Sequence, residues 1–355
     1  MQGTLQERML PAPVGGGFAM EGYWVWCGSV IQGEDGRYHM FASRWPMDYP
    51  MHPGWMVASE IVRAVADTPV GPYKFQEVVL PARGAEYWDG RSTHNPLIMR
   101  ADDGYVLYYM GSTHPFPDPA NPSAMRHEDD LTVVARANKR IGVATAKSIF
   151  GPWQRSDTPL LCPRPGCFDN FFTSNPTVCI DRNGSATMIY KTRTYARPPY
   201  PAFLHGKMSF GVAKSKSCTS GFKQMLDAPL FSGDGYLEAG FEVEDPFIWL
   251  DRDGYNLMAK DMNGRICGEA QGGVHATSAD GISWKLEKNK LFYSRHVLWD
   301  DGKVREMGNL ERPFLLIEGG RPTHVFFATS DGTDGEGFIN CTKTWNMVIP
   351  LKQEK

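Results

Sequence analysis

Three acidic side chains lie close together in the stretch 241–246, where Glu242, Glu244 and Asp245 precede a proline and the apolar run Phe-Ile-Trp-Leu. Carboxylates that enter an apolar strand are costly to bury unless they are paired or used. Strict alternation along a strand predicts Glu242 and Glu244 on one side and Asp245 on the other. Two carboxyl groups in one site are typical of general acid–base catalysis. The structural alternative is that Asp245 caps a turn and pairs with an arginine such as Arg312.

A second group of reactive side chains lies in the stretch 87–96, which contains Trp88, Asp89, Arg91 and His94. An indole can stack on the apolar face of a ligand, while a guanidinium and an imidazole can hydrogen-bond its hydroxyls or an acidic group. The stretch therefore predicts a binding surface with one candidate catalytic carboxylate. The alternative is that Asp89 forms a turn and that His94 is a satisfied residue of an inner strand.

Cationic side chains accompany these acids. Glu311 and Arg312 stand side by side in the sequence, either as part of a site or as an internal ion pair. Fixed positive groups around a pocket suit a carboxylated or sulfated ligand. Solvated strand ends are the alternative for each cation taken singly. The other cations of this candidate set are Arg91, Lys191, Arg193 and Lys260.

The elements that must position these residues follow from an internal repeat. An apolar strand, a tight turn and an aromatic-rich strand recur five times, with the turns beginning at positions 35, 103, 183, 253 and 319. Asp-Gly, Asn-Gly and Gly-Gly between alternating strands are strong hairpin signals. A second unit follows the first four copies, so each repeat supplies four strands. The pattern predicts an all-β fold, a five-bladed β-propeller with four antiparallel strands per blade, and a β-sandwich is the alternative.

The repeat spacing also predicts the domain organisation. Residues 1–355 form one domain, with blades starting near positions 22, 92, 172, 242 and 308. The Pro-rich and charged segment 112–138 interrupts the second repeat and predicts a long surface insertion.

Composition excludes several classes of protein. The 355 residues carry 37 basic and 40 acidic side chains, a net charge of −3, which argues against a nucleic-acid binder or a polybasic membrane-surface protein. The sequence contains no run of 18 apolar residues, so no membrane-spanning helix is predicted. The seven cysteines are scattered, and no His, Asp or Glu set has metal-ligand spacing, so the sequence predicts no metal ligands and no required cofactor. No secretory signal is visible, which predicts a cytoplasmic protein, or a periplasmic or secreted one whose leader has been removed.

The repeated motifs carry a family resemblance. Strand edges of the form x-Pro-x-Ile/Val, followed by Asp-Gly and then Val-Ala-x-Ser/Ala and Gly-Pro-Trp/Tyr, resemble the five-bladed propeller glycoside hydrolases of family 43 and its relatives, including family 117. The resemblance extends from about Gly22 to Thr329. It implies an exo-acting, inverting glycoside hydrolase that releases a terminal sugar from a plant or algal oligo- or polysaccharide in a pocket on the propeller axis. Such hydrolases sometimes carry a central metal ion, for which His94 is a candidate ligand.

The catalytic residues of family 43 do not carry over directly. That family places an Asp general base on the first inner strand, a second Asp on the next and a Glu general acid on the third. Here the first inner strand contains Trp26 and Cys27 without a carboxylate, and Asn95 and Asn175 precede proline on the next two.

A rearranged catalytic set is therefore expected. Asp245 or Glu244 acts as base, and Glu311 or His296 acts as acid, His296 because family 117 uses a histidine from a comparable late region. Asp89 tunes a pKa or positions the sugar. The predicted substrate-binding residues are Trp26, Trp88, Arg91, His94, Asn95, Asn175, Lys191, Arg193, Lys260 and Arg312.

Two other functions fit the same fold. The missing acids of the first three blades favour a lyase that acts on uronic acids by β-elimination. A non-catalytic carbohydrate-binding propeller is the third reading. In each case the partner is an oligosaccharide or polysaccharide, with no nucleic acid and no membrane, and the sequence indicates no particular oligomeric state.

Overall fold

The computed structural model describes residues 3–101, 103–195, 205–232, 240–332, 337 and 340–353. Five antiparallel sheets form a ring, which confirms the predicted five-bladed β-propeller. The strands of the first two blades are β1 (Tyr23–Gln32), β2 (Tyr38–Pro46), β3 (Glu60–Ala66), β4 (Lys74–Leu80), β5 (Ser92–Ala101), β6 (Gly104–Ser112), β7 (Arg140–Ala146) and β8 (Gln154–Arg155).

The next two blades follow the same order from the axis outwards. Their strands are β9 (Phe172–Ile180), β10 (Ala186–Tyr195), β11 (His205–Ser215), β12 (Lys223–Gln224), β13 (Val243–Asp251), β14 (Gly254–Asp261), β15 (Gly273–Ser278) and β16 (Lys285–Leu286). A separate hairpin and the fifth blade complete the ring, with β17 (His296–Leu298), β18 (Val304–Glu306), β19 (Glu311–Glu318), β20 (Arg321–Ser330) and β21 (Thr344–Pro350). The inner strands begin within three residues of the predicted blade starts. The assignment of all 355 residues to one domain stays a prediction.

The turns between the first two strands of each blade explain why the repeat folds as hairpins. Gly36 and Gly184 adopt φ values of 77° and 81° in two of these turns. Glycine reaches this left-handed region without a steric penalty, so it reverses the chain where the flanking strands need a tight turn. The β-branched and aromatic residues on either side then pair across the sheet.

The fifth blade completes its outer edge with residues from the other end of the chain. Its sheet contains β19, β20 and β21, and the outer position is taken by the N-terminal segment. Phe18 forms an antiparallel bridge with Asn346, and Met9 forms one with Leu351. The beginning and the end of the described chain therefore close the ring together, which a local repeat pattern does not encode.

A bulge near the start of every inner strand turns five side chains towards the axis. Cys27, Asn95, Asn175, Asp245 and Arg312 have φ values between 47° and 56°, and the strand register shifts at each of these positions. A non-glycine residue rarely adopts the left-handed region, and asparagine and aspartate tolerate it best. Four of the five precede proline, which disfavours a right-handed helical conformation for the residue before it.

Two insertions lie next to each other above the first two blades. Helix α1 (Leu5–Arg8) precedes the propeller, α2 (Met51–Ala58) lies between β2 and β3, and a 3₁₀ turn at Pro122–Ala124 and α3 (Asp130–Ala137) lie between β6 and β7. The second insertion occupies the Pro-rich and charged segment 112–138. The two insertions share a small apolar core of Met56, Val57, Met125 and Ala135. Within the described residues, no helix is both long enough and apolar enough to cross a membrane.

Candidate active site

The inner strands and the two insertions surround a pocket on the propeller axis with a volume of about 340 Å³. It contains all but four of the predicted site residues. The described residues that line it are Trp26, Trp45, Met51, His52, Trp55, His94, Asn95, Arg136, Lys139, Asn175, Lys191, Arg193, Met208, Glu244, Asp245, Lys260, Met262, Gln271, Glu311 and Arg312.

The five bulge residues form a chain of hydrogen bonds around the axis. The Sγ of Cys27 donates to Asn95 Oδ1 at 2.7 Å, and Asn95 Nδ2 donates to Asn175 Oδ1 at 2.7 Å. Asn175 Nδ2 in turn donates to Asp245 Oδ1 at 2.7 Å, and the backbone N–H of Arg312 donates to Asp245 Oδ2 at 3.1 Å. Both amide atoms of each asparagine are therefore used within this ring. Asn95 and Asn175 lie in the pocket wall as predicted, but their polar atoms already hold neighbouring blades together.

The carboxylates of the fourth and fifth blades meet around one lysine. Lys260 Nζ lies 2.7 Å from Glu311 Oε1, 3.1 Å from Glu244 Oε2 and 3.9 Å from Asp245 Oδ2. Lys191 forms a second ion pair with Glu244. Lys260 is only 1% exposed, so these interactions take place away from bulk water, where charges act on each other strongly.

The pKa values of the two glutamates, Glu244 and Glu311, are shifted in opposite directions. Burial would raise the pKa of Glu244, but the charges of Lys191 and Lys260 outweigh it and hold this pKa well below the usual value. Burial raises the pKa of Glu311, the negative charges of Asp245 and Glu244 raise it further, and Lys260 offsets only part of the effect. Glu244 is thus favoured as an anion and Glu311 as the proton carrier of the pair.

The bulge at Asp245 orients Glu244 and Asp245 differently from what strict alternation predicts. Simple alternation predicts Asp245 on the side opposite Glu244, yet carboxylate oxygens of Glu244, Asp245 and Glu311 all lie within 4.8 Å of one another. The left-handed conformation of Asp245, with φ of 55°, breaks the alternation and turns both acids towards the axis. Glu242 instead accepts a hydrogen bond from the backbone N–H of Met208 at 2.8 Å.

An aromatic wall supports His94 on the first-blade side of the pocket. The imidazole stacks on Trp55 with the ring centroids 4.8 Å apart, and its Nδ1 lies 2.8 Å from Ser59 Oγ. Burial and the nearby cation of Arg312 lower the pKa of His94 well below its usual value. A neutral imidazole between indoles is suited to hydrogen bonding and stacking. Trp26, 4% exposed, contributes a further indole to the lining.

Two cations in the pocket were not predicted from the sequence. Arg136 comes from α3, and Lys139 lies between that helix and β7. Together with the predicted Lys191 and Arg193 they line the pocket, where Arg193 Nη2 lies 4.0 Å from Glu242 Oε1. Arg136 lies within the predicted surface insertion 112–138 and Lys139 directly follows it, and the packing of α3 against α2 brings both to the axis.

Lys139 is the most unusual of these cations. It is 2% exposed, and its Nζ lies 3.8 Å from the centroid of the Phe172 ring and 5.2 Å from that of Trp55. Among the described residues its ammonium has no carboxylate partner. Burial lowers its pKa well below the usual value, and the neighbouring charges of Lys191 and Arg136 lower it further.

Asp89, one of the predicted catalytic acids, lies outside the pocket in a structural ion pair. Its carboxylate is fully buried, accepts from Arg83 Nε at 2.7 Å and from the hydroxyl of Tyr109 at 2.7 Å. The third blade repeats this arrangement, in which Asp169 accepts from Arg164 Nε at 2.9 Å and from the hydroxyl of Tyr190 at 2.6 Å. The shared arrangement of Arg, Asp and Tyr indicates that Asp89 and Asp169 hold the second and third blades together.

Of the other predicted residues in the stretch 87–96, some have structural contacts outside the pocket and others line it. The indole of Trp88 stacks on Tyr109 and its N–H donates to the carbonyl of Ser156 at 3.2 Å. Arg91 forms an ion pair with Asp118 at 2.9 Å. Neither Trp88 nor Arg91 lines the pocket, and of this stretch only His94 and Asn95 do.

His296, the alternative acid, lies at the start of the β17–β18 hairpin and does not line the pocket. Its side chain is 55% exposed, and its Nε2 lies 3.9 Å from Glu306 Oε2. Of the two predicted acids, Glu311 lines the pocket and His296 does not.

A metal ion does not fit the carboxylate cluster as the chain presents it. Glu244, Asp245 and Glu311 offer three oxygens within 4.8 Å of one another, a spacing that a cation can bridge. The ammonium of Lys260 already takes the place of that cation, since it lies 2.7 Å from Glu311 and 3.1 Å from Glu244. His94 faces the fixed charge of Arg312, which disfavours a second cation at the ring.

Comparison with known proteins identifies the fold. No family model matches the chain, and no curated protein matches it. Among solved structures, a family 117 glycoside hydrolase produced by the marine bacterium Zobellia galactanivorans superposes with a TM-score of 0.61 at 15% identity, over 97% of this chain and 89% of that one.

Two further structures give the same result. The catalytic domain of a family 62 α-L-arabinofuranosidase from Coprinopsis cinerea has a TM-score of 0.61 at 11% identity, over 98% of both chains. An α-L-arabinofuranosidase from Lactobacillus brevis has a TM-score of 0.56 at 11% identity, over 99% of this chain and 95% of that one. Similarity at this level of identity shows a shared propeller fold.

Proposed function

We propose that this protein is an exo-acting glycoside hydrolase that releases a terminal sugar from a plant or algal oligo- or polysaccharide in the axial pocket. The observation that carries the proposal is the pair of largely buried glutamates, Glu244 and Glu311, which both contact Lys260 and whose pKa values are shifted in opposite directions. Glycoside hydrolysis needs a carboxylic acid to protonate the leaving oxygen and a carboxylate to attack or to activate water. Similar propellers among solved structures are glycoside hydrolases, which supports the same class of reaction.

In this mechanism Glu311 donates its proton to the glycosidic oxygen as the bond to the sugar breaks. Its raised pKa keeps the proton available at a higher pH than that at which an ordinary glutamate loses it. Glu244 stays ionised and stabilises the positive charge that develops on the sugar. Lys260 contacts both groups, so it holds them in place and keeps Glu244 charged.

The spacing of the carboxyl groups favours retention of configuration, in contrast to the inversion that the family resemblance implies. Inverting enzymes separate their two carboxyls by about 6.5–9.5 Å to admit a water molecule, and retaining enzymes by about 5–5.5 Å. Carboxylate oxygens of Glu244 and Glu311 lie within 4.8 Å of each other. In the proposed reaction Glu244 therefore attacks the anomeric carbon, and water then releases the sugar with Glu311 acting as base.

The shape of the pocket supports action at a chain end. A volume of about 340 Å³, bordered by residues of α2 and by Arg136 of α3, suits the end of a glycan better than the middle of one. Trp26, Trp45 and Trp55 supply flat apolar surfaces beside a few fixed polar groups, a composition typical of small-molecule sites.

A second candidate function, β-elimination on a uronic acid, is favoured by one specific observation. Lys139 is a buried amine whose pKa is lowered by burial and by the neighbouring cations Lys191 and Arg136. A neutral amine can abstract a proton next to a carboxylate, while the surrounding cations neutralise the acid. The product would be an unsaturated uronate instead of a hydrolysed sugar.

The test is a screen of wild type, Glu311→Gln and Glu244→Gln on nitrophenyl glycosides and on plant and algal oligosaccharides. Release of reducing ends and ultraviolet absorbance of an unsaturated product are followed in parallel. The exposed Glu21 provides a matched control, Glu21→Gln. Sugar release by wild type and Glu21→Gln that is lost in both active-site variants, with folding retained, supports the hydrolase. Undiminished release by both active-site variants contradicts it, and an unsaturated product supports elimination.

A further inference from the structure

The connection between β14 and β15, residues 262–272, is a loop folded around one buried carboxylate. Asp261 is fully buried, and its Oδ2 accepts from the backbone N–H groups of Ile266 at 2.8 Å and Cys267 at 3.0 Å. Its Oδ1 accepts from the backbone N–H of Gly264 at 3.0 Å. Hydrogen bonds to an ionised acceptor are stronger than those between neutral groups, so this carboxylate fixes the course of the loop.

The two ends of this loop meet at the axial pocket. The backbone N–H of Gln271 donates to the carbonyl of Asp261 at 2.7 Å, and that of Asp261 donates to the carbonyl of Gly272 at 2.8 Å. The strands that the loop joins pair Lys260, the lysine at the centre of the acidic cluster, with Gly273. The loop therefore brings Gln271 to the pocket lining on the fourth-blade side, near the proposed catalytic acids.

The backbone of Gln271 adopts a conformation that favours glycine. Its φ is 65°, in the left-handed region, where a residue with a side chain is less stable than glycine. The same loop has glycine at two other left-handed positions, Gly264 with φ of 71° and Gly268 with φ of 90°. Unusual backbone conformations of this kind are concentrated at functional sites, where the surrounding structure holds them in place. At position 271 the loop keeps a side chain despite this conformation, and that residue lines the pocket.

The side-chain amide of Gln271 has a defined orientation. Its Nε2 donates to the carbonyl of Met262 at 3.4 Å. A carbonyl oxygen can only accept, so this contact assigns the amide nitrogen to the Met262 side and Oε1 to the other. An amide oxygen has two lone pairs, and the hydroxyl groups along the edge of a sugar ring are suitable donors to it.

We propose that Gln271 is a specificity-determining residue of the axial pocket, and that its Oε1 accepts a hydrogen bond from one hydroxyl group of the bound sugar. This inference rests on the proposed function, because it adds a substrate contact to the same site. The loop around Asp261 holds Gln271 in this position before the sugar arrives. A group that is ordered in advance loses less conformational freedom on binding, which favours affinity.

The test is isothermal titration calorimetry of the full chain with free monosaccharides, which contain no glycosidic bond to hydrolyse. The first probes are D-galactose, D-glucose, D-xylose and L-arabinose. The sugar that binds wild type most tightly is then compared with its monodeoxy derivatives, each of which lacks one hydroxyl group. The variants are Gln271→Met, which keeps the side-chain length without the amide, and Gln271→Gly, which also removes the unfavourable backbone conformation.

Both variants should bind the chosen sugar about two- to tenfold more weakly than wild type, the factor of one hydrogen bond between neutral groups. One monodeoxy sugar should bind wild type and both variants equally, because it lacks the hydroxyl that Gln271 contacts. The unfolding midpoint of Gln271→Gly should equal or exceed that of wild type, since glycine tolerates the left-handed region. Asn289→Gly is the control, because Asn289 is exposed, has φ of 56° and does not line the pocket.

Unchanged affinity in folded Gln271→Met would overturn the inference, and so would failure of all four probes to bind wild type. A midpoint of Gln271→Gly well below that of wild type would assign the side chain to loop packing instead. The two proposals fail separately. Sugar binding that depends on Gln271 without cleavage of any glycoside keeps this contact and removes the hydrolase. Hydrolysis with an unchanged KM in Gln271→Met does the reverse.

Discussion

The Nζ of Lys260 lies 2.7 Å from Oε1 of Glu311, and both residues are largely removed from solvent. Glu311 keeps a raised pKa despite this contact, because burial and the charges of Asp245 and Glu244 outweigh the lysine. Lys260 is shared with Glu244 at 3.1 Å, so one ammonium contacts two glutamates whose pKa values are shifted in opposite directions. Stability, pH dependence and proton donation are therefore linked at this residue.

Replacing Lys260 should destabilise the fold. Lys260→Met leaves Glu244 and Asp245 buried without their shared cation, and loss of one partner from a buried ion pair costs about 3–5 kcal/mol. Urea unfolding followed by tryptophan fluorescence measures the change. Lys290→Met is the control, because Lys290 is 45% exposed and its pair with Glu287 should contribute about 0–1 kcal/mol. Equal midpoints for the two variants would contradict the central role of Lys260.

The rate of hydrolysis should depend on pH with a single maximum. Glu244 must be ionised, and its lowered pKa places the loss of activity on the acid side well below the usual range of a glutamate. Glu311 must be protonated, so activity falls as the pH rises through its raised pKa. Hydrolysis rates measured across the pH range in which the protein stays folded give both limbs of the profile, the acid limb set by Glu244 and the alkaline limb set by Glu311.

A variant of Lys191 separates the two limbs. Lys191→Met removes a cation that pairs with Glu244, so the pKa of Glu244 rises and the acid limb moves to higher pH. The limb assigned to Glu311 should move less. An acid limb that stays in place would show that Glu244 does not set it.

Removing the proton donor should affect poor leaving groups most. Glu311→Gln is expected to lower the rate on an oligosaccharide by about 10²- to 10⁴-fold, the usual contribution of general acid catalysis. An aryl glycoside with an acidic phenol needs little protonation and should lose much less. His296→Gln is the matched comparison and should retain full activity, since its side chain is 55% exposed on a hairpin outside the pocket. The reverse pattern would assign the proton to His296.

Asp89 should matter for stability and not for proton transfer. Asp89→Asn leaves Arg83 and Arg155 beside a neutral buried side chain, which we expect to cost about 3–5 kcal/mol. Activity per folded molecule should be unchanged, and so should the pH profile. Asp103→Asn serves as the control because Asp103 is 93% exposed and should alter stability by no more than about 0.5 kcal/mol. A large loss of activity in folded Asp89→Asn would return this residue to the catalytic set.

The configuration of the first product tests the carboxylate spacing. Proton NMR during hydrolysis of an active substrate should show the anomer of the substrate before mutarotation, because Glu244 and Glu311 have oxygens within 4.8 Å. Initial appearance of the opposite anomer would support inversion, and would require a base other than Glu244.

The amino-acid sequence by itself determined the propeller and most of the pocket. Asp-Gly and Asn-Gly turns between alternating strands are local signals, and five copies of them leave few other ways to bury the apolar faces. The acidic residues just ahead of proline, Glu244 and Asp245 in the fourth blade and Glu311 in the fifth, lie at the beginnings of inner strands, so the repeat alone brings them to the axis.

Only the tertiary structure decided which of the candidate groups meet. The left-handed bulge at Asp245 placed two consecutive acids on one side, against the strict alternation of a regular strand. The packing of α2 against α3 brought Arg136 and Lys139 into the pocket, and a buried ion pair removed Asp89 from it. These outcomes depend on contacts between segments far apart in the chain, including the N-terminal segment that closes the ring beside β21. Turn and strand patterns describe neighbours in sequence, whereas the charge of an active site is set by neighbours in space.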